Sequence, residues 1–237
     1  MIKKVVIAAA GQGTRMLHLT KSKSKHLINV LKKPFLAYLL DNVLEAGYKE
    51  LILVVGYKKE KTEKFLKEYG YEAEVINQFA ALGEKEYGTA CALKCAREAV
   101  GKNNFLMVYG DNLYSVKDLK GFNIEDKYSY VAGFYHQRPE KYGVLKVEDG
   151  SLKEIVEKPK KHIGNLINTG LYKFTPEVLD KLSEIQLSVR GEYELPDVIN
   201  LLAKEKKVKV KEVDFWLDFG NPADIIKASQ LFAKWKK

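Results

Sequence analysis

An apolar run, Val5-Val6-Ile7-Ala8-Ala9-Ala10, leads directly into Gly11-Gln12-Gly13-Thr14-Arg15, with Lys25 and His26 a short way on. These residue types in this order suit phosphate chemistry. Glycines let backbone N–H groups approach an anion that bulkier residues would hold away, and Arg15 and Lys25 supply neutralising charge. Two phosphate loops do not fit. The dinucleotide fingerprint needs a third small residue where Met16 stands, and a Walker loop needs Gly-Lys-Ser/Thr, which Thr14-Arg15 does not provide. The alternative is a glycine-rich turn between strand and helix that holds no ligand.

The elements that must carry this loop can be read from hydrophobic period. A strand is predicted over 4–10 and a helix over 34–46, with Phe35, Leu36, Leu39, Leu40, Val43 and Leu44 as its stripe, Pro34 at its start and Gly47 at its end. A strand over 51–55, a helix over 59–69, a strand over 73–76, a loop over 77–87, a helix over 88–99 and a strand over 105–109 follow. That alternation predicts an α/β fold, a Rossmann-like mixed and largely parallel sheet flanked by helices. Ligands collect at the C-terminal ends of such strands, so the glycine loop and Asp111 are expected to face one crevice. Beyond residue 127 shorter strands are predicted over 128–135, 143–147 and 152–156, with Asp149-Gly150 as the turn between the last two. A strand over 166–174, helices near 176–183 and 194–204, and a strand over 207–213 come next. A last helix starts at Pro222 after an Asn221 cap and turns Ile225, Ser229, Phe232 and Trp235 inward.

The opening VVIAAAGQGTRM, with Thr20, Lys25 and Lys33-Pro34-Phe35, resembles the sugar-1-phosphate nucleotidylyltransferases. Six further blocks recur in the order of that family: Tyr87-Gly88-Thr89-Ala90, Gly110-Asp111-Asn112, Tyr142-Gly143-Val144, Glu157-Lys158-Pro159, Asn168-Thr169-Gly170 and Trp216-Leu217-Asp218-Phe219-Gly220. The resemblance implies one nucleotidylyltransferase domain over 1–237, with a nucleotide-binding half to about 115, a sugar-binding half over about 116–220 and a closing helix. Some relatives continue into a C-terminal β-helix, for which no room is expected after Trp235.

The same resemblance implies roles. Asp111 and Asp218 would hold Mg²⁺, as hard carboxylate oxygens suit a cation that keeps waters and takes substrate phosphates as further ligands. Arg15 and Lys25 would hold the triphosphate, Arg15 assisting the leaving pyrophosphate with its bidentate guanidinium. Ala10, Gly11, Gly13 and Thr14 would line the nucleotide, and Gln78 and Gly88 would read the base, although Gln78 precedes Gly88 by a longer spacing than the family pattern. Lys158 would bind the sugar phosphate and Glu157 would accept from sugar hydroxyls, while Asn112, Tyr142, Gly143 and Thr169 complete the sugar pocket. Alone, each residue also has a plain reading: Asp111 and Asp218 as turn residues, Lys25 as a surface cation, Lys158 as a solvated strand end, Gln78 as an exposed loop residue. His18 and Asn29 stand where relatives commonly carry proline, and His18 with His26 makes no metal pair.

The activity implied is Mg²⁺-dependent transfer from UTP to glucose 1-phosphate, giving UDP-glucose and pyrophosphate. The alternatives are a thymidylyltransferase using dTTP, a relative using GTP or CTP with mannose 1-phosphate or phosphocholine, and a nucleotide-sugar-binding subunit without turnover.

Composition narrows the partners. The chain of 237 residues is 46% apolar and carries a formal charge of +9, but its bases are mostly lysines scattered among 31 acidic residues, with arginine only at 15, 97, 138 and 190. No aromatics interleave with these bases, so no nucleic-acid partner is expected; a homo-oligomer is compatible with the sequence. Cys91 and Cys95 have no second pair to complete a metal site or a disulfide framework, which suits a cytoplasmic protein. Met1-Ile2-Lys3-Lys4 imitates a signal peptide, yet the apolar run stops at Ala10, and no membrane partner is expected.

Overall fold

The computed structural model describes residues 1–11, 13, 16 and 24–235, the last without its side chain; the predicted phosphate-loop residues Thr14 and Arg15, and also His18, lie outside this set. In chain order it runs β1 (Lys4–Ala9), β2 (Asn29–Val30), β3 (Lys33–Pro34), α1 (Phe35–Glu45), β4 (Glu50–Val55), α2 (Lys59–Tyr69), β5 (Glu74–Asn77), α3 (Gln78–Leu82), α4 (Thr89–Val100) and β6 (Phe105–Tyr109). The second half continues with β7 (Asn112–Tyr114), α5 (Val116–Gly121), β8 (Ser129–Tyr135), β9 (Gly143–Glu148), β10 (Ser151–Glu157), β11 (Leu166–Phe174), α6 (Glu177–Asp180), α7 (Leu195–Lys204), β12 (Val208–Glu212), β13 (Trp216–Asp218) and α8 (Pro222–Trp235).

Nine strands form one mixed sheet in the order β5-β4-β1-β6-β11-β8-β12-β10-β9. The first four pair in parallel, β8 and β12 pair in parallel, and β11 joins the two halves by antiparallel pairing to β6 and β8. Period-two alternation builds a core on each face. Val5, Ile7, Leu51, Leu53, Leu106 and Val108 pack on one side, under α1 and α8. Val6, Ile52, Val54, Phe105 and Met107 pack on the other, under α4 and α7. This α/β sheet with flanking helices is the fold class predicted.

Two local expectations need correction. The segment 77–87 is not all loop: Asn77 Oδ1 accepts from Phe79 N at 3.0 Å and Ala80 N at 3.1 Å, and that cap starts α3. At α8, by contrast, Asn221 stands where expected, directly before Pro222, and Asp224 Oδ2 accepts from the backbone N–H groups of Gly220 (2.9 Å) and Asn221 (2.7 Å), the half of a capping box supplied from inside the helix. The inner face of α8 uses Ala228, fully buried, beside Phe232, whereas Ser229 is half-buried.

Candidate active site

A cavity of about 500 Å³ opens where the C-terminal ends of β1 and β6 meet the second half of the sheet. Every predicted site residue among the described ones lies on its wall: Ala10, Gly11, Gly13, Lys25, Gln78, Gly88, Asp111, Asn112, Tyr142, Gly143, Glu157, Lys158, Thr169 and Asp218.

A short ladder brings the two aspartates together. β7 pairs antiparallel with β13, so that Asn112 sits opposite Asp218, and Phe219 N donates to Asp111 O at 2.8 Å. Lys25, only 9% exposed, forms an ion pair with Asp111 and is no surface cation. Trp216 Nε1 donates to Asn112 Oδ1 at 2.9 Å, and Asn112 Nδ2 reaches Asp111 Oδ1 at 3.3 Å, which orients the carboxylate from its other side. Burial, the largest single influence, would raise the Asp111 carboxyl, but the charge and hydrogen bond of the Lys25 ammonium, with smaller help from His26 and a backbone hydrogen bond, together hold the group below the usual aspartate range. His26 beside them is buried, with Ser24 Oγ 2.7 Å from its Nδ1; burial first and Lys25 second push its pKa down to about 3, so the ring is neutral at pH 7.

The donor set at Asp111 and Asp218 fits a hard divalent cation. Both carboxylates line the cavity, and no cluster of three or more His, Cys, Asp or Glu that would enclose a metal occurs among the described residues. Two carboxylates with the remaining positions open to water and phosphate oxygens match Mg²⁺ rather than a closed structural zinc site.

At one end of the cavity Gln78 is the first residue of α3 and 1% exposed, not an exposed loop residue, and its Oε1 has no hydrogen-bond partner. A buried acceptor left unpaired costs about 1–3 kcal/mol, so this atom is poised for a donor from a ligand.

At the other end Lys158 adopts φ +42° and Lys158 N donates to Tyr142 O at 3.0 Å, so the backbone of the strand end is held while the Lys158 side chain stays exposed at the cavity mouth. Burial raises the Glu157 carboxyl above the ordinary glutamate range despite Lys158 and Arg190 nearby. Tyr142 meets Trp216 edge to face at 5.2 Å, with His136 closing the corner at 5.0 Å from Tyr142. The Thr169 hydroxyl is engaged within the sheet, donating to Ala132 O at 3.2 Å, so its face toward the cavity is not that hydroxyl.

Several wall residues escaped sequence reasoning. Arg190 lines the cavity and bonds Glu194 Oε1 through Nε (3.0 Å) and Nη2 (2.7 Å), with Glu157 at 3.8 Å. Its rarity in a lysine-rich chain was the available signal. Tyr109 forms part of the floor, its hydroxyl 3.3 Å from that of Tyr172, and nothing in the sequence singled it out.

Comparison with known proteins identifies the family. The family profile described as nucleotidyl transferase matches residues 4–234. The UTP--glucose-1-phosphate uridylyltransferase AglF of Haloferax volcanii is 32% identical over 235 residues, covering 96% of this chain and 95% of the relative. The bifunctional sugar-1-phosphate nucleotidylyltransferase/acetyltransferase of Sulfurisphaera tokodaii is 34% identical over 94% of this chain, which spans 54% of that protein, about half its length. The solved structure of a UDP-glucose pyrophosphorylase complexed with UDP-glucose superposes with a TM-score of 0.86 at 26% identity, covering 99% of this chain and all of the other. With a profile match over nearly its full length and relatives on both criteria of sequence and fold, this chain belongs to the nucleotidyl transferase family, among the sugar-1-phosphate nucleotidylyltransferases.

Proposed function

We propose that the cavity joins UTP to glucose 1-phosphate, releasing pyrophosphate and leaving UDP-glucose. The observation that carries this reading is the meeting of Asp111 and Asp218 on one wall, with a cation at Lys25 on the nucleotide side and cations at Lys158 and Arg190 on the sugar side. Two anions must come together in the reaction, and fixed charge at both ends lowers the cost of their approach. A phosphate oxygen of the sugar 1-phosphate attacks the α-phosphorus of the triphosphate; the new P–O bond forms as the bond to the β-phosphate oxygen breaks, and pyrophosphate departs with that electron pair. Mg²⁺ held by Asp111 and Asp218 would neutralise phosphate charge there.

This chain's own groups do the rest. Lys25 neutralises the triphosphate, and Gln78 offers its unpaired Oε1 to the N–H of a uracil edge. Lys158 and Arg190 fix the sugar phosphate, and Glu157 accepts from sugar hydroxyls packed against Tyr142 and Trp216. The uridylyltransferase and UDP-glucose relatives support UTP and glucose 1-phosphate. Thymine presents the same edge to Gln78, so dTTP is the second reading.

Purified protein supplied with UTP, dTTP, CTP or GTP, each with glucose 1-phosphate, mannose 1-phosphate or phosphocholine, is assayed for pyrophosphate. UTP with glucose 1-phosphate should turn over fastest. Turnover with GTP or CTP alone overturns the base assignment, faster turnover with another acceptor overturns the sugar, and no turnover with any pair leaves a binding subunit.

A further inference from the structure

Arg190 sits on a tight turn closed by Gly191 N to Ser188 O at 2.8 Å and Ser188 N to Glu192 O at 2.9 Å. Its strong partner, Glu194, belongs to the same segment and cannot by itself locate the guanidinium relative to the cavity. The location comes from the base end. Tyr193 N donates to Tyr87 O at 2.8 Å, Ala90 N donates to Tyr193 O at 2.9 Å, and Leu195 N donates to Thr89 Oγ1 at 2.8 Å. Gly88 lies between these bonds at φ +131°, and a Cβ there would fall inside 3.0 Å of the Tyr193 backbone N, C and O. The two segments therefore touch backbone to backbone. On their outer side Lys94 Nζ stands 3.8 Å from the centroid of the Tyr193 ring and 2.7 Å from Glu86 Oε2. Glu86, Lys94 and Tyr193 are absent from the cavity wall, whereas Tyr87, Gly88, Thr89, Arg190 and Glu194 are on it.

We propose that Glu86, Lys94 and Tyr193 form a clasp that positions Arg190 for the acceptor phosphate, so that three residues touching no substrate set the affinity for sugar 1-phosphate. The inference rests on the assignment of Arg190 to that phosphate. The Lys94 ammonium is held from two sides, by the Glu86 carboxylate and by the Tyr193 ring face, and a cation over an aromatic face favours one docking angle of that ring. That angle fixes the main chain that leads back to Arg190. Loss of the clasp leaves the guanidinium on its turn but shifts the turn, and small displacements of a charged group lower affinity steeply.

Steady-state kinetics with each substrate varied in turn test this, on K94M, Y193L, K94R, Y193F and R190Q, with melting temperatures measured alongside. K94M and Y193L should each raise KM for sugar 1-phosphate about tenfold, with KM for the nucleoside triphosphate within about twofold of the parent. K94R and Y193F, which keep the cation and the ring, should stay near the parent. In the R190Q background K94M should add less than about twofold, because it acts through the group already removed. If R190Q leaves the sugar 1-phosphate KM unchanged, the assignment of Arg190 fails and the clasp with it. If R190Q raises that KM while K94M and Y193L leave it unmoved, or raise both KM values in step, the clasp alone is overturned. A K94M or Y193L protein that only melts earlier, with both KM values unchanged, also overturns it.

Discussion

Replacing Lys25 by Met isolates the buried ion pair at the centre of the site. The side chains of Lys25 and Asp111 are 11% and 16% exposed, so neither is well screened by water. Unit charges about 4 Å apart attract by ~4 kcal/mol at an effective dielectric of 20, and removing one partner of a buried pair destabilises by about 3–5 kcal/mol. K25M should therefore lose about 3–5 kcal/mol in urea unfolding at pH 7. The pH dependence has a definite sign. In the parent, Asp111 is held below the ordinary aspartate value of 3.8, so its contribution is present above that pH and is lost as pH falls through the lower folded value. In K25M, burial is the larger remaining influence and lifts the carboxyl above 3.8, so the K25M deficit should shrink as pH is lowered from 7 toward 4. The double variant K25M/D111N, which removes both charges, should recover at least about 1.5 kcal/mol relative to the sum of the single losses. A K25M deficit below about 1 kcal/mol, or strict additivity in the double variant, refutes the reasoning.

Three further outcomes are expected. Q78L removes a buried acceptor with no partner, so stability should hold or rise while KM for UTP climbs about tenfold, and a lowered melting temperature with unchanged KM would contradict the assignment. Burial raises the Glu157 carboxyl above the ordinary glutamate value of 4.5, so its protonated form is favoured in the fold and the associated stability, present below that pH, is lost as pH rises through the folded value. E157Q should thus be at least as stable as the parent at pH 7; the parent is expected to lose sugar 1-phosphate binding on acidification as Glu157 protonates, and that loss should vanish in E157Q, whereas parallel pH profiles would count against the role. G170A forces φ +78° on a side chain and puts its Cβ inside 3.0 Å of the Tyr109 ring, so unfolding should show a loss of about 2–4 kcal/mol, and a loss below about 0.5 kcal/mol would mean the floor is looser than described.

The first half of the fold was legible because its strands are buried on both faces and its helices carry one apolar stripe. The run Phe105–Tyr109 and the helix 59–69 fall where the pattern put them. The pattern is weaker where local polar chemistry decides. Nothing in Gln78-Phe79-Ala80 shows a helical period over so short a stretch, and only the Asn77 cap reveals α3. β7 and β13 are three residues each, below any periodic signal, yet their pairing sets Asp111 beside Asp218. The motif blocks identified most of the wall residues by type. They could not identify Arg190, whose place depends on a turn docked across the cavity, or Tyr109, whose ring packs over a glycine from another strand.

In the proposed reaction Asp111 and Asp218 jointly hold a divalent cation beside the substrate phosphates. Mn²⁺, a paramagnetic stand-in for Mg²⁺, titrated into the protein with UTP present and followed by electron paramagnetic resonance, tests this on the parent, D111N and D218N. Each variant should weaken protein-bound Mn²⁺ by at least about tenfold, as even indirect partners of a metal site cost that much, with folding retained. Parent-like Mn²⁺ binding in both variants would contradict the central claim.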